Sequence, residues 1–154
     1  VQTMLRIALA GWFGLVALLS MAVMMRCDRV VEAEAPQVRR HGGQPAPPAG
    51  TFSRYSYRNG WSISDSQGVT FPLKLSADSK PWLEGWLLGE ARRGATLVVR
   101  WGERPAVEVE VRGKATEGRV RMPDPPGPGR HRLNITLRSP RGGRAVLDRV
   151  VIER

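Results

Sequence analysis

Few side chains in this sequence have the type and spacing that catalysis requires. The candidate nucleophiles and bases are one cysteine, Cys27, and two histidines, His41 and His131. A single cysteine excludes an internal disulfide and a Cys-x-x-Cys-His haem attachment motif, and this set is too small for a structural zinc site. His131 opens an alternating run and reads as a packed or turn-facing residue rather than a general base. No Gly-x-Ser-x-Gly, metal-spaced His/Glu pair or phosphate loop occurs. Glu84, Glu108 and Glu110 have the type of paired carboxylates. Glu108 and Glu110 nevertheless alternate with Val107, Val109 and Val111, as a solvated strand face does. We therefore expect no catalytic residue, no cofactor and no enzyme.

Binding chemistry is better represented. Trp61 follows an Asn59-Gly60 turn and is the tryptophan expected at the surface, where it could stack on a sugar ring or a partner protein. Trp101 shares a face with Leu97 and Val99, and Trp82 and Trp86 share one with Leu88, so these three are expected in a core. Arg39-Arg40-His41 is a small basic cluster suited to lipid head groups or an acidic partner. The whole chain is basic, with 24 Lys+Arg against 14 Asp+Glu and a formal charge of +10. Such a balance favours acidic partners. The excess lacks aromatic interleaving, so nucleic acid is not the expected partner.

The elements that must position these residues begin with an apolar segment. Ile7–Met25 holds 19 residues without a charge, bounded by Arg6 and Arg26. As a helix it would run roughly 28 Å, close to the ~30 Å hydrocarbon thickness of a bilayer. It shows no polar stripe of the kind a soluble core helix carries. Cys27 resembles a lipoprotein acylation site by position, but Met24, Met25 and Arg26 precede it where small residues are needed. The nearest Ala-x-Ala match is Ala33-Glu34-Ala35, and Pro36 would follow the cut. We expect an uncleaved signal anchor over residues 1–28, single-pass in the inner membrane of a bacterium. Its carboxyl-terminal domain is expected outside the cytoplasm, in the periplasm. Arg6, Arg26 and Arg29 would sit at the membrane boundary. Ala10, Gly11 and Gly14 form a small-residue patch for close helix–helix contact.

Residues 29–50 form the second expected unit. Glu32–Gly50 holds four prolines and three glycines and reads as an extended linker. It would reach roughly 50–60 Å at ~3.1 Å per residue. From Thr51 to Arg154 the pattern becomes short period-2 runs between turn residues. These include GVTFPLKL (68–75), TLVVRW (96–101), PAVEVEVR (105–112), HRLNITLR (131–138) and AVLDRVVIE (145–153), while WLEGWLLGE (82–90) is apolar on both faces. FSRYSY (52–57) and GRVRM (118–122) are weaker runs. About eight short strands in ~100 residues predict an all-β, antiparallel jelly-roll β-sandwich, preceded by one transmembrane helix and a Pro-rich linker.

The stretch PGRHRLNITLRSPRGGRAVLDRVVIE (128–153) resembles the last two strands of galactose-binding-like jelly rolls, which include many carbohydrate-binding modules. The shared pattern is a Pro-Gly turn, His-x-Leu-x-Ile, a Gly-containing turn and Leu-Asp-x-Val-x-Ile. In many such domains an acid of the last strand helps hold a structural calcium. The resemblance places that role on Asp148, with no matching ligands near Phe52–Gly60. The leading expectation for function is a non-enzymatic accessory subunit of a larger membrane complex, such as a photosynthetic reaction centre with its antenna or a respiratory complex. Its partners would be other integral membrane subunits and lipids. The alternative is a membrane-tethered carbohydrate-binding module recognising envelope or extracellular glycan, with Trp61, Arg39 and Arg40 as contact residues.

Overall fold

The computed structural model describes residues 29–46, 51–52, 55–56, 60–111 and 117–154. Thirteen strands run through them: β1 (Arg29–Glu32), β2 (Arg39–His41), β3 (Gln44–Pro45), β4 (Thr51–Phe52), β5 (Tyr55–Ser56), β6 (Trp61–Ile63), β7 (Gly68–Leu75), β8 (Lys80–Leu88), β9 (Ala95–Trp101), β10 (Val107–Val111), β11 (Glu117–Arg121), β12 (Gly129–Arg138) and β13 (Arg144–Glu153). A 3-10 helix, Gly89–Arg93, links β8 to β9. One sheet has the order β11-β8-β13-β6-β3, with β1 also paired to β13, and the other the order β10-β9-β12-β7-β2. Every pairing is antiparallel. The expected all-β sandwich is thus what the chain forms.

Alternation decides which side chains meet between the sheets. Val69, Phe71, Leu73 and Leu75 of β7 are buried, as are Leu97, Val99 and Trp101 of β9 and Leu133, Ile135 and Leu137 of β12. Their even-numbered neighbours face away from the core. Strand β13 departs from strict alternation at one place. Its register against β8 shifts between Leu147 and Arg149, leaving Asp148 as a bulge. The extra residue reverses the parity of the strand. Ala145 and Leu147 therefore point inward before the bulge, and Val150 and Ile152 after it. Without it, Arg149 would be aimed at the core.

The largest departure from the sequence reading lies in residues 29–46. They were expected as a spacer, yet β1 pairs with β13, β2 with β7 and β3 with β6. Ala33 and Val38 are buried in the core. The physical reason is that both sheets otherwise present open edges, and short strands satisfy them. Pro36 falls in the turn between β1 and β2, and Pro45 on an outermost strand, where a missing N–H removes no ladder bond. Only Arg26, Cys27 and Asp28 separate the apolar run from β1.

The run itself, with Arg6, Ala10, Gly11, Gly14 and Arg26, lies outside the described residues. Among the described residues no helix is long and apolar enough to cross a membrane.

A second correction concerns β8. Trp82 and Trp86 were expected in the core, but Pro81, Leu83 and Leu87 take the inward positions. Trp82 and Trp86 are half-buried on the outward face. A strand apolar on both sides offers two hydrophobic faces, and only one of them can meet the opposite sheet.

Candidate functional site

The outward face of the six-stranded sheet brings aromatic and charged side chains together in rows. One row runs across four strands as Arg121, Trp82, Val151 and Val30, and the next as Arg119, Glu84, Arg149 and Glu32. The charged row alternates in sign because each strand contributes one residue at the same level. Arg149 Nε donates to Glu84 Oε2 at 2.6 Å, and Arg119 Nη2 lies 2.7 Å from Glu153 Oε1. Arg119 also reaches Glu84 Oε1 at 3.6 Å and sits 5.0 Å above the Trp82 ring. Trp86 stands two rows beyond Trp82, about 13 Å along the strand. The buried indole N–H of Trp82 has no hydrogen-bond partner among the described residues, which is a cost that the face carries in the folded state.

Asp148 projects from the bulge beside this row. Burial is the main cause that raises its carboxyl from 3.8 to about 6. Glu32, Glu84 and Glu34 add to the rise, and Arg149 partly offsets it. Strand β1 supplies Glu32 and the turn after it Glu34, two acids that the sequence reading had left in a linker. The signal was present: Glu32 and Glu34 alternate with Val31, Ala33 and Ala35, a strand pattern.

Calcium takes about six to eight oxygen ligands. Among the described residues no group of three or more His, Cys, Asp or Glu is arranged to hold a metal ion, and Glu34 Oε1 accepts the Gly60 N–H at 2.7 Å. Among the described residues, then, no set of ligands for the ion that the resemblance attached to Asp148 is assembled.

The other contact candidates separate. Arg40 lies 4.7 Å over the Trp61 ring, and the Trp61 indole N–H donates to Gly42 O at 2.9 Å. Trp61 thus has its donor and one ring face engaged within the chain, and it pins β2 and β3 to β6. Arg39 points the opposite way, onto the outer face of the five-stranded sheet, level with Thr70. Arg29 opens β1 opposite Ile152. His131 Nε2 lies 3.0 Å from Gly127 O, and its ring meets Trp101 edge-on, the packed role expected of it.

The pin around Trp61 depends on Gly43. Its φ is +86°, and a Cβ there would lie 2.5 Å from Ser62 O and 2.6 Å from Trp61 Nε1. Gly43→Ala is expected to cost about 1–2 kcal/mol, read as a lower denaturant midpoint with unchanged slope. An unaltered midpoint would show that the Trp61 pin is soft.

A groove of about 400 Å³ opens at the end of the sandwich where the 3-10 helix meets the β12–β13 turn. Arg93, Arg141 and Glu110 line it, with Arg138, which bridges to Glu108 at 2.7 Å. The volume is within the range of small-ligand sites, about 300–1,000 Å³, but no aromatic side chain lines it.

No family model matches this chain, and no curated protein matches it. Solved structures do. The chain is similar to the CBM36-1 domain of a multidomain xylanase from the hindgut metagenome of Trinervitermes trinervoides, with 14% identity and a TM-score of 0.54, over 82% of this chain and 97% of that one. It is similar to an exo-β-1,3-galactanase from Phanerochaete chrysosporium, with 15% identity and a TM-score of 0.56, over 82% of this chain and 29% of that one. A family two carbohydrate esterase from Cellvibrio japonicus gives 11% identity and a TM-score of 0.54, over 82% of this chain. The chain spans about a third of the length of that esterase. At these identities the likeness is one of fold alone, a β-sandwich.

Proposed function

We propose that this chain is a non-catalytic glycan-binding module, held at a membrane by Ile7–Met25 with its sandwich on the extracytoplasmic side. The observation that carries the reading is the tryptophan and ion-pair face of the six-stranded sheet, on a fold shared with the CBM36-1 domain. Aromatic rings flanked by paired Arg and Glu side chains are suited to sugars, whose C–H faces stack while hydroxyls bond to fixed charges. Nothing in the structure supports the accessory-subunit reading in a photosynthetic or respiratory assembly. The likeness supports the glycan reading, which ranked second on sequence alone.

Binding of the detergent-solubilised full chain to an array of neutral oligosaccharides tests it. Trp82→Ala is expected to weaken any glycan bound by about tenfold or more, which is ~1.4 kcal/mol, with the melting curve retained. Arg141→Ala, in the end groove, should leave the affinity unchanged. Equal binding by the Trp82→Ala and unaltered chains would remove this face as the site.

A further inference from the structure

We infer that the outward face of the five-stranded sheet is a second binding surface, for an anionic glycan chain such as a polyuronate. The ligand class rests on the glycan reading above. The surface is a different one.

Arg39, Thr70, Asn134 and Arg100 form one row across β2, β7, β12 and β9. Arg132 stands one row away, opposite Pro72, and Arg130 a row further, opposite Lys74. The four arginines are exposed, and none has a carboxylate partner among the described residues. At about 4.8 Å between strands and about 3.3 Å per residue, they span roughly 13–14 Å in each direction. The acids on this sheet, Glu108 and Glu110, lie on the far strand β10, and Glu108 is held by Arg138 at 2.7 Å. The opposite sheet behaves differently, because there Arg119 and Arg149 meet Glu84 and Glu153. One face is internally neutralised, and on the other the four arginines stand away from its two acids.

The centre of the basic face is also donor-rich. His41 Nε2 lies 3.0 Å from Thr70 Oγ1, and the Thr70 hydroxyl donates to Asn134 Oδ1 at 2.7 Å. That bond occupies the acceptor of the amide and leaves its NH2 to donate among the guanidinium groups. Guanidinium and amide donors without acceptors match carboxylate oxygens. The span exceeds one carboxylate, so a chain with repeated carboxylates fits better than a single small anion. The arginine rows hold no aromatic ring on which nucleic-acid bases would stack.

The test titrates the detergent-solubilised full chain with polygalacturonate, its fully methyl-esterified form and a neutral galactan. Polygalacturonate should bind at about 50 mM salt and about tenfold or more weaker at about 300 mM. The methyl ester should bind about tenfold or more weaker than the acid. The double variant Arg130→Glu/Arg132→Glu should lose about tenfold or more for polygalacturonate, with its melting curve and its Trp82-dependent neutral-glycan binding unchanged. Equal binding of acid and ester, or no effect of the double variant, overturns the inference. So does binding to phosphatidylglycerol vesicles or single-stranded DNA as tight as to polygalacturonate. Neutral-glycan binding without polygalacturonate binding overturns this inference alone, and no glycan binding of any kind overturns both readings.

Discussion

A chain beginning at Thr51, where the composition changes, is expected to lose cooperative folding, whereas one beginning at Arg29 keeps it. The truncation removes β1 from β13, β2 from β7 and β3 from β6. Ala33 and Val38 leave the core, and Trp61 loses both Arg40 and its acceptor on Gly42. Burial of a Val side chain is worth about 1.5–3 kcal/mol, and each ladder bond lost adds about 0.5–1.5 kcal/mol net. Against a domain stability of about 5–15 kcal/mol, the loss is large enough to unfold the remainder. Thermal melts of residues 29–154 and 51–154, followed by near-ultraviolet circular dichroism, would show it. A 51–154 fragment melting within a few degrees of the longer one would mean that the first three strands are dispensable.

The second large effect is expected from Asp148→Asn, in buffer free of divalent cations. The folded state holds the Asp148 proton more tightly than the unfolded chain, because its carboxyl is raised from 3.8 to about 6. Stability from this group is therefore full below pH ~4 and is lost as pH rises through ~6. A shift of this size corresponds to about 3 kcal/mol at most. Partial solvent contact of the side chain, 20% exposed, reduces it to about 2 kcal/mol. The variant should then match the unaltered protein near pH 4 and exceed it near pH 7.5, by about 6–8 °C in Tm. Equal Tm values at both pH values would show that neither burial nor the neighbouring acids raise this carboxyl.

The alternating runs after Gly68 were legible because each satisfies one periodicity and one buried face. Phe71, Val99 and Ile135 needed no knowledge of neighbours to be placed inward. Residues 29–46 were misread for a physical reason. Pro36, Gly42, Gly43 and Pro45 interrupt them, yet a strand of two to four residues on a sheet edge needs little propensity of its own, since its ladder partner supplies the order. The tryptophan face was hidden for a related reason. Apolar residues on both sides of β8 do not reveal which side meets the second sheet, and that choice is made by β9, β12 and the parity change at Asp148. The opposition of Arg119, Glu84, Arg149 and Glu32 depends on register between strands far apart in sequence. The lone arginines of the other sheet were visible as charge, but not as neighbours.

The short interval between the apolar run and β1 changes the scale on which the protein could search. Three residues, 26–28, extend at most about 10 Å, where a spacer of residues 29–50 would have added roughly seven times that. On the proposed reading, with Ile7–Met25 in a bilayer, both sheets would turn as one body close above the lipid, and the volume swept by either face would be small. A polymer drifting free in the surrounding space would rarely enter it. A polymer lying along the membrane surface would stay in it continuously, at a high effective concentration. Selection would then come from location as much as from affinity, so that weak contacts on each face suffice for a chain that is already nearby.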